Sequence, residues 1–295
     1  MPPFLVEIAI EPKSQRDFSD FEVALNRLAA EDEHGFNIKT DRETGQTVVG
    51  GLSEEHLEWL VDRMGSTFGI AINVGAPQVA YRETLGRKAE IDYTHKKQSG
   101  GSGQFARIKL VFEPGEPGSG YHFESRIVGG SVPEEYIPGV EKGLEASRET
   151  GVLAGFPVID FKAILLDGAY HDVDSSKVAF EFAARVAFKE GLMKAKCKLL
   201  EPIMNVEVMI PIEFTDDLLD DLRKRGGRVR DGGVRDDAQV IDALVPLASG
   251  LGYANTLRSI MLRPGTYTMV FDHYAPVPMP PDDDDPFAPA VGMRA

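Results

Sequence analysis

The chain is poor in cysteine, in positive charge and in long apolar runs. A single cysteine, Cys197, in 295 residues excludes an internal disulfide and suits a reducing compartment. Thirty-two Lys and Arg stand against 47 Asp and Glu, a net charge of −15. That balance excludes a protein that coats nucleic acid by bulk attraction and leaves room only for local basic patches. No apolar run approaches the ~20 residues that span a bilayer. The opening Met1-Pro2-Pro3 lacks the charged start and apolar core of a secretion signal. The expectation is a cytoplasmic protein with no membrane partner. No nucleophile–base pair and no His/Cys/carboxylate cluster with ligand spacing can be named, so no catalytic residue and no metal site are expected. Also missing is any Gly-x-x-x-x-Gly-Lys-Ser/Thr, the loop whose amides and lysine cradle a nucleotide's phosphates.

What is present is a globular body, 42% apolar, long enough for two or three domains. Residues 1–81 open with the alternation Leu5-Val6-Glu7-Ile8-Ala9-Ile10, a half-buried strand closed by Pro12. Phe21, Leu25 and Leu28 then recur at helical spacing, and two strand-like runs flank Glu43-Thr44-Gly45-Gln46. Ser53 is placed to cap a second helix, with Glu54 and Glu55 in its first turn and Leu57, Leu60, Val61 and Met64 on its apolar stripe. Ile70 to Val74 closes a β-α-β-β-α-β order, that of a ferredoxin-like sandwich. Residues 203–278 repeat it, from Val206-Glu207-Val208-Met209-Ile210 through a helix after Thr215, acidic at its start and basic at its end, to a strand from Thr266. The expected fold class is α+β: two ferredoxin-like sandwiches flanking a different α/β domain, residues 82–202. In that middle domain a helix is expected to start at Asp174 or Ser175 and to bury Val178, Phe182, Val186 and Phe188. Residues 279–295 form a Pro-rich acidic tail.

Three clusters carry chemistry. Gln98-Ser99-Gly100-Gly101-Ser102-Gly103-Gln104 follows His95, Lys96 and Lys97, and its glycines permit left-handed torsions that expose backbone N–H groups to phosphate. The same glycines would serve an ordinary hairpin tip. His171, in Tyr170-His171-Asp172-Val173-Asp174, joins a strand to a helix, and its ring can donate to phosphate or ribose oxygens, more strongly when protonated. The rival reading, a metal or acid–base site with Asp172 and Asp174, lacks further ligands; a plainer one makes the aspartates turn and cap residues. The third cluster is Arg223-Lys224-Arg225-Gly226-Gly227-Arg228-Val229-Arg230. Helix termination explains the first three charges, whereas Arg228 and Arg230 are expected on one face of a strand, open to phosphate.

Several longer stretches carry a family likeness. Gln98 to Phe105, Tyr136-Ile137-Pro138, Gly151 to Pro157, Asp167 to Ser176, Phe188-Lys189-Glu190-Gly191 and Leu200 to Met204 resemble the fourth domain of bacterial elongation factor G. Gly252 to Ser259 and Phe271-Asp272-His273-Tyr274 are similar to its fifth domain, and Glu43 to Thr47 and Gly75 to Thr84 to its third. The resemblance runs from about Phe4 to Pro278. It implies an elongated, ribosomal-protein-like fourth domain between the sandwiches. It also implies a tip, made by Lys96 to Gln104 with Tyr170, His171 and Asp172, that meets transfer and messenger RNA in the decoding site. The arginine cluster would lie near ribosomal RNA. Partners would be both ribosomal subunits, with the factor a monomer. The family's third-domain helix begins Gly-Glu-Leu-His-Leu, where this chain has Ser53-Glu54-Glu55-His56-Leu57; Glu54 and His56 then stand where the family couples to its GTPase domain. The resemblance implies GTP and Mg²⁺ for a full-length parent and none for this chain, expected to be a fragment without the GTPase domain. A recycling or tetracycline-protection paralogue, or a free-standing ribosome-interaction module, would use the same architecture.

Overall fold

The computed structural model describes residues 4–40, 46–97, 103–235, 238–253, 256–257 and 266–278, apart from the side chains of Gln15 and Asp231. It divides into two compact units, residues 1–80 with 201–275, and residues 81–200 with 276–295.

The first unit holds two sheets. In the amino-terminal one, β1 (Val6–Pro12), β2 (Asn37–Thr40), β3 (Thr47–Gly51) and β4 (Ile72–Val74) lie in the order β2-β3-β1-β4. Short β5 (Gln78–Val79) adds to β1. The alternation of β1 decides its faces: Val6, Ile8 and Ile10 are buried, with Val6 opposite Gly51 and Ile10 opposite Thr47. Helices α1 (Phe18–Glu31) and α2 (Glu54–Phe68) cover that face through Phe21, Leu25, Leu28, Leu57, Leu60 and Met64. Ser53 caps α2 as its sequence predicts, accepting the His56 amide, and Gly69 at φ 68° ends it. Of the expected hairpin turn, Glu43, Thr44 and Gly45 lie outside the described residues.

The second sheet of this unit has the order β12-β13-β11-β14, with β11 (Lys198–Pro211), β12 (Arg228–Arg235), β13 (Ala238–Pro246) and β14 (Thr266–Pro276). Helix α5 (Thr215–Lys224) buries Leu218 and Leu222, and its charges run from Asp216 and Asp217 to Arg223 and Lys224, as its dipole favours. A one-turn α6 (Leu247–Gly250) follows β13. Tyr253 and Leu257 are buried, while residues 258–265 and the tail from residue 279 lie outside the described residues.

The second unit is built on a four-stranded sheet, order β7-β8-β10-β9: β7 (Ala89–Lys97), β8 (Gln104–Pro114), β9 (Tyr121–Ser125) and β10 (Phe161–Ala169). β7, β8 and β10 are antiparallel neighbours, and β9 runs parallel to β10. β6 (Arg82–Thr84) pairs with the start of β11 at Lys198–Leu200. Helices α3 (Ile137–Arg148) and α4 (Lys177–Ala195) cover one face over a core of Phe112, Phe161, Phe180, Phe188, Ile108 and Leu110. The described residues are α+β, with sheets antiparallel in most of their pairings and helices on their apolar faces.

Helix α4 departs from the expected pattern twice. Its cap is Ser176, which accepts the Ala179 amide, not Asp174 or Ser175. Its inward face is Ala179, Phe180, Ala183, Ala184, Ala187 and Phe188, leaving Val178 and Phe182 about half exposed. The cause is α3. A Cβ on Gly139 would meet the Lys177 carbonyl oxygen at 2.5 Å, and one on Gly143 the Glu181 oxygen at 2.5 Å. Backbones that close admit only small side chains between them, so alanines line the α3 side, Phe180 and Phe188 are buried in the core, and Val178 and Phe182 are left outside.

Candidate nucleic-acid interface

Three chain segments meet at one end of the second unit. β7 ends in exposed Lys96 and Lys97, with Lys97 opposite Gln104, so the glycine-rich segment joins β7 to β8. Gln98, Ser99, Gly100, Gly101 and Ser102 lie outside the described residues; Gly103 and Gln104 are described. β10 runs antiparallel to β8 and ends at Ala169, opposite Arg107, which brings the turn 170–175 to the same end. Gly168 has Val132 against its missing Cβ, so the turn through Gly129 and Gly130 (φ 73° and 71°) arrives there too.

The turn carrying His171 is fastened to β8. The Gly103 amide donates to Asp174 Oδ1 at 3.1 Å, and the Phe105 amide to the Asp174 carbonyl at 2.9 Å. Ser175 accepts the His171 amide on its hydroxyl oxygen at 2.9 Å and donates its proton to the Phe105 carbonyl at 2.7 Å. A Cβ at position 103 would fall 2.8 Å from the Asp174 carboxyl carbon, so only glycine permits this approach. His171 Nδ1 accepts the amides of Val173 and Asp174 at 3.3 Å. That assigns the neutral proton to Nε2, on a side chain more than half exposed. Nδ1 also lies 3.6 Å from Asp174 Oδ2. Tyr170 is 43% exposed and leans on Tyr136, ring centroids 6.4 Å apart, and Asp172 is exposed on the turn.

Charge is distributed unevenly on this hairpin. Lys88 pairs with Glu113, Lys109 with Glu90, and Arg107 with both Asp92 and Asp167. The Asp92 hydrogen bond holds the Arg107 guanidinium above its ordinary pKa, and the Gly168 amide foremost holds Asp167 below the usual carboxylate range. Lys96 and Lys97 have no carboxylate partner among the described residues. They are the cations left to meet a polyanion.

The arginine cluster at the end of α5 is less uniform than its sequence. Arg225 turns inward: it donates to Asp221 at 2.8 Å, to the Ser249 carbonyl and to Thr256 Oγ1, and lies over the Tyr253 ring. Arg223 pairs with Asp220 on the surface. The expected alternation of Arg228 and Arg230 is broken by a bulge, since Val229 faces Ala243 and Asp231 faces Asp242. Arg230 is the inserted residue and reaches Asp272 at 3.3 Å, a carboxylate held below its ordinary pKa by His273 first and Arg230 after it. Lys224 and Arg228 are exposed.

Glu54 and His56 separate in role. Glu54 accepts the Gly252 amide at 2.7 Å, tying α2 to the other sheet of the same unit, where Tyr267 also donates to Glu55 at 3.4 Å. His56 stays within its own sandwich: Nδ1 accepts the Leu52 amide, Nε2 lies 3.2 Å from Asp32, and Phe36 stacks on the ring at 4.1 Å. Among the described residues no three His, Cys, Asp or Glu side chains gather to hold a metal ion, and no helix is long and apolar enough to cross a membrane. Asp174 and Ser175 are the residues whose part the sequence conceals: both read as local turn or cap residues, yet both bond to a strand some 70 positions earlier.

Comparison with known proteins matches the chain almost end to end. The family model of elongation factor G domain III covers residues 1–76, domain IV residues 77–196, and the elongation factor G C-terminus residues 198–284. Elongation factor G of Paracoccus denitrificans is 58% identical over 96% of this chain, as is that of Cereibacter sphaeroides strain KD131. The chain spans 40% of the length of each. A crystal structure from Thermus thermophilus superposes with a TM-score of 0.74 at 39% identity, covering 94% of this chain and 42% of that one. With three successive domains matched in order, the chain belongs to the elongation factor G family, as its domains III, IV and carboxy-terminal part.

Proposed function

We propose that this chain is the ribosome-contacting part of a translation factor that promotes GTP-dependent translocation of transfer RNA and messenger RNA. It is read as a third domain over residues 1–81, a fourth over 82–202, a fifth over 203–278 and an acidic tail. The fastened end of the fourth domain carries the reading: Gly103 bonded to Asp174, and Phe105 and His171 both bonded to Ser175, beside Lys96 and Lys97. Such an end offers backbone amides, an outward imidazole N–H and unmatched ammonium groups, all suited to sugar–phosphate and none to bond-breaking chemistry. Lys224, Arg228 and, more weakly, Arg223 and Arg230 would contact ribosomal RNA, with Arg225 holding their scaffold. The relatives' name supports an elongation role; the reading adds a cytoplasmic monomer that acts on both ribosomal subunits. The sequence holds no Gly-x-x-x-x-Gly-Lys-Ser/Thr, and in this reading GTP and Mg²⁺ are held by the rest of a full-length factor. The test is His171→Ala in a full-length factor carrying these domains. Translocation measured by rapid kinetics should slow more than ribosome binding weakens, and an unchanged rate would remove His171 from the mechanism.

A further inference from the structure

The apolar side chains that α4 turns outward lie beside the unmatched lysines. Val178 and Phe182, four residues apart on one helix face, are 53% and 49% exposed. The His95 ring lies against Phe182, centroids 6.1 Å apart and planes 18° from parallel, a stacked pair. Gln104 fixes the imidazole from the other strand, with Oε1 3.0 Å from His95 Nε2.

Helix α4 runs antiparallel to β7. Gly191 has Ile91 beside its missing Cβ, and the Ala195 carbonyl accepts the Arg87 amide near the start of that strand. The first turn of α4 therefore lies toward the end of β7, so the backbones of Lys96, Lys97 and Lys177 all stand toward the fastened turn from the ring pair, and Lys97 alternates onto the face of β7 that carries His95. Like them, Lys177 has no carboxylate partner among the described residues.

We infer that the Phe182–His95 pair is a stacking platform for an unpaired RNA base, with Lys96, Lys97 and Lys177 receiving the flanking phosphates. The inference rests on the ribosome-contacting function proposed above and adds a residue, Phe182, outside the glycine-rich loop and the histidine turn. Flat rings accept any base on their π face, and ammonium groups at the same end of the domain track the backbone; together these are the elements of single-strand recognition. The charge decides against an apolar protein segment as occupant, because such a segment has no groups to satisfy three lysines.

The experiment uses the whole chain and purified 70S ribosomes in a sedimentation assay, with melting curves to confirm that each variant folds. Phe182→Ala is expected to weaken binding about tenfold, while Phe182→Tyr, which keeps the ring, stays within about twofold. Phe182→p-benzoylphenylalanine, irradiated on the ribosome, is expected to cross-link to RNA. Unchanged binding by Phe182→Ala, or cross-linking to a ribosomal protein in place of RNA, overturns the platform. If Phe182→Ala is silent while a Lys96→Ala, Lys97→Ala double variant binds poorly, the platform fails and the ribosome-contacting function stands. If the unmodified chain does not bind ribosomes, that function falls and the platform with it.

Discussion

The hydroxyl of Ser175 lies 2.7 Å from the carbonyl oxygen of Phe105, and the same hydroxyl oxygen accepts the amide of His171 at 2.9 Å. One side chain thus holds the imidazole-bearing turn to a strand contributed from far away in sequence. Ser175→Ala should lower stability by about 1 kcal/mol. It should also speed hydrogen exchange at the His171 amide while leaving the α4 amides protected. Uniform loss of protection, or none at His171, would show that the hydroxyl does not hold the turn.

Glu83, wholly buried on β6, accepts five consecutive amides from Val152 to Phe156 at 2.8–3.2 Å. The turn wraps the carboxyl group, and Gly151 passes so close to it that a side chain there would overlap it. A carboxamide keeps the shape but presents an NH₂ to some of those donors. Glu83→Gln should therefore cost about 3 kcal/mol, measurable by urea denaturation; a loss below about 1 kcal/mol would contradict this account.

Glu201 is the opposite case, a carboxylate 7% exposed with no hydrogen-bond partner among the described residues. Burial pushes its pKa up. A folded-state pKa above the unfolded value means the folded protein holds the proton more tightly, so stability declines as pH rises from about 4 through the folded value. Glu201→Gln should raise Tm at pH 7 and leave it unchanged below about pH 4. An equal rise at both pH values would point to packing, not ionisation.

Cys197 donates its S–H to the Leu192 carbonyl at 3.5 Å, and burial foremost, with Glu83 adding, pushes its thiol up to about 12. Thiolate is the reactive form. At pH 8 iodoacetamide should label the folded chain at least about a hundredfold more slowly than the chain in urea, and comparable rates would overturn the assignment of an inert thiol.

Arg225 and Arg228 should part ways on substitution. Arg225→Ala removes an ion pair, two further hydrogen bonds and a ring contact, and is expected to cost about 2 kcal/mol. Arg228→Ala should leave stability within about 0.5 kcal/mol but reduce the salt slope of ribosome binding by about one unit. An unchanged slope would take Arg228 out of the ribosomal RNA contact.

Local rules carried the sequence far where local physics decides. Ser53 announces a cap, β1 alternates because one face is buried, and α5 orders its charges along its dipole. The sequence could not show that Gly103 and Asp174 touch, because no period or propensity links residues 71 apart. Phe188 of α4 is buried as expected, but Val178 and Phe182 misled for a related reason. Burial there is set by the glycines of α3, and the readable signal was the pairing of Gly139 and Gly143 with a run of alanines. Arg230 was misplaced because a one-residue bulge shifts a strand's facing without altering its composition.

The seam between α3 and α4 bears on how this domain handles load. Where main chain rests on main chain, little rotameric slack remains to absorb a push, and neither rod can slide without lifting off the other. Thrust applied at Ser176 would meet that contact at once, at Lys177 and Glu181, and carry both rods together, as a ramrod and not as a spring.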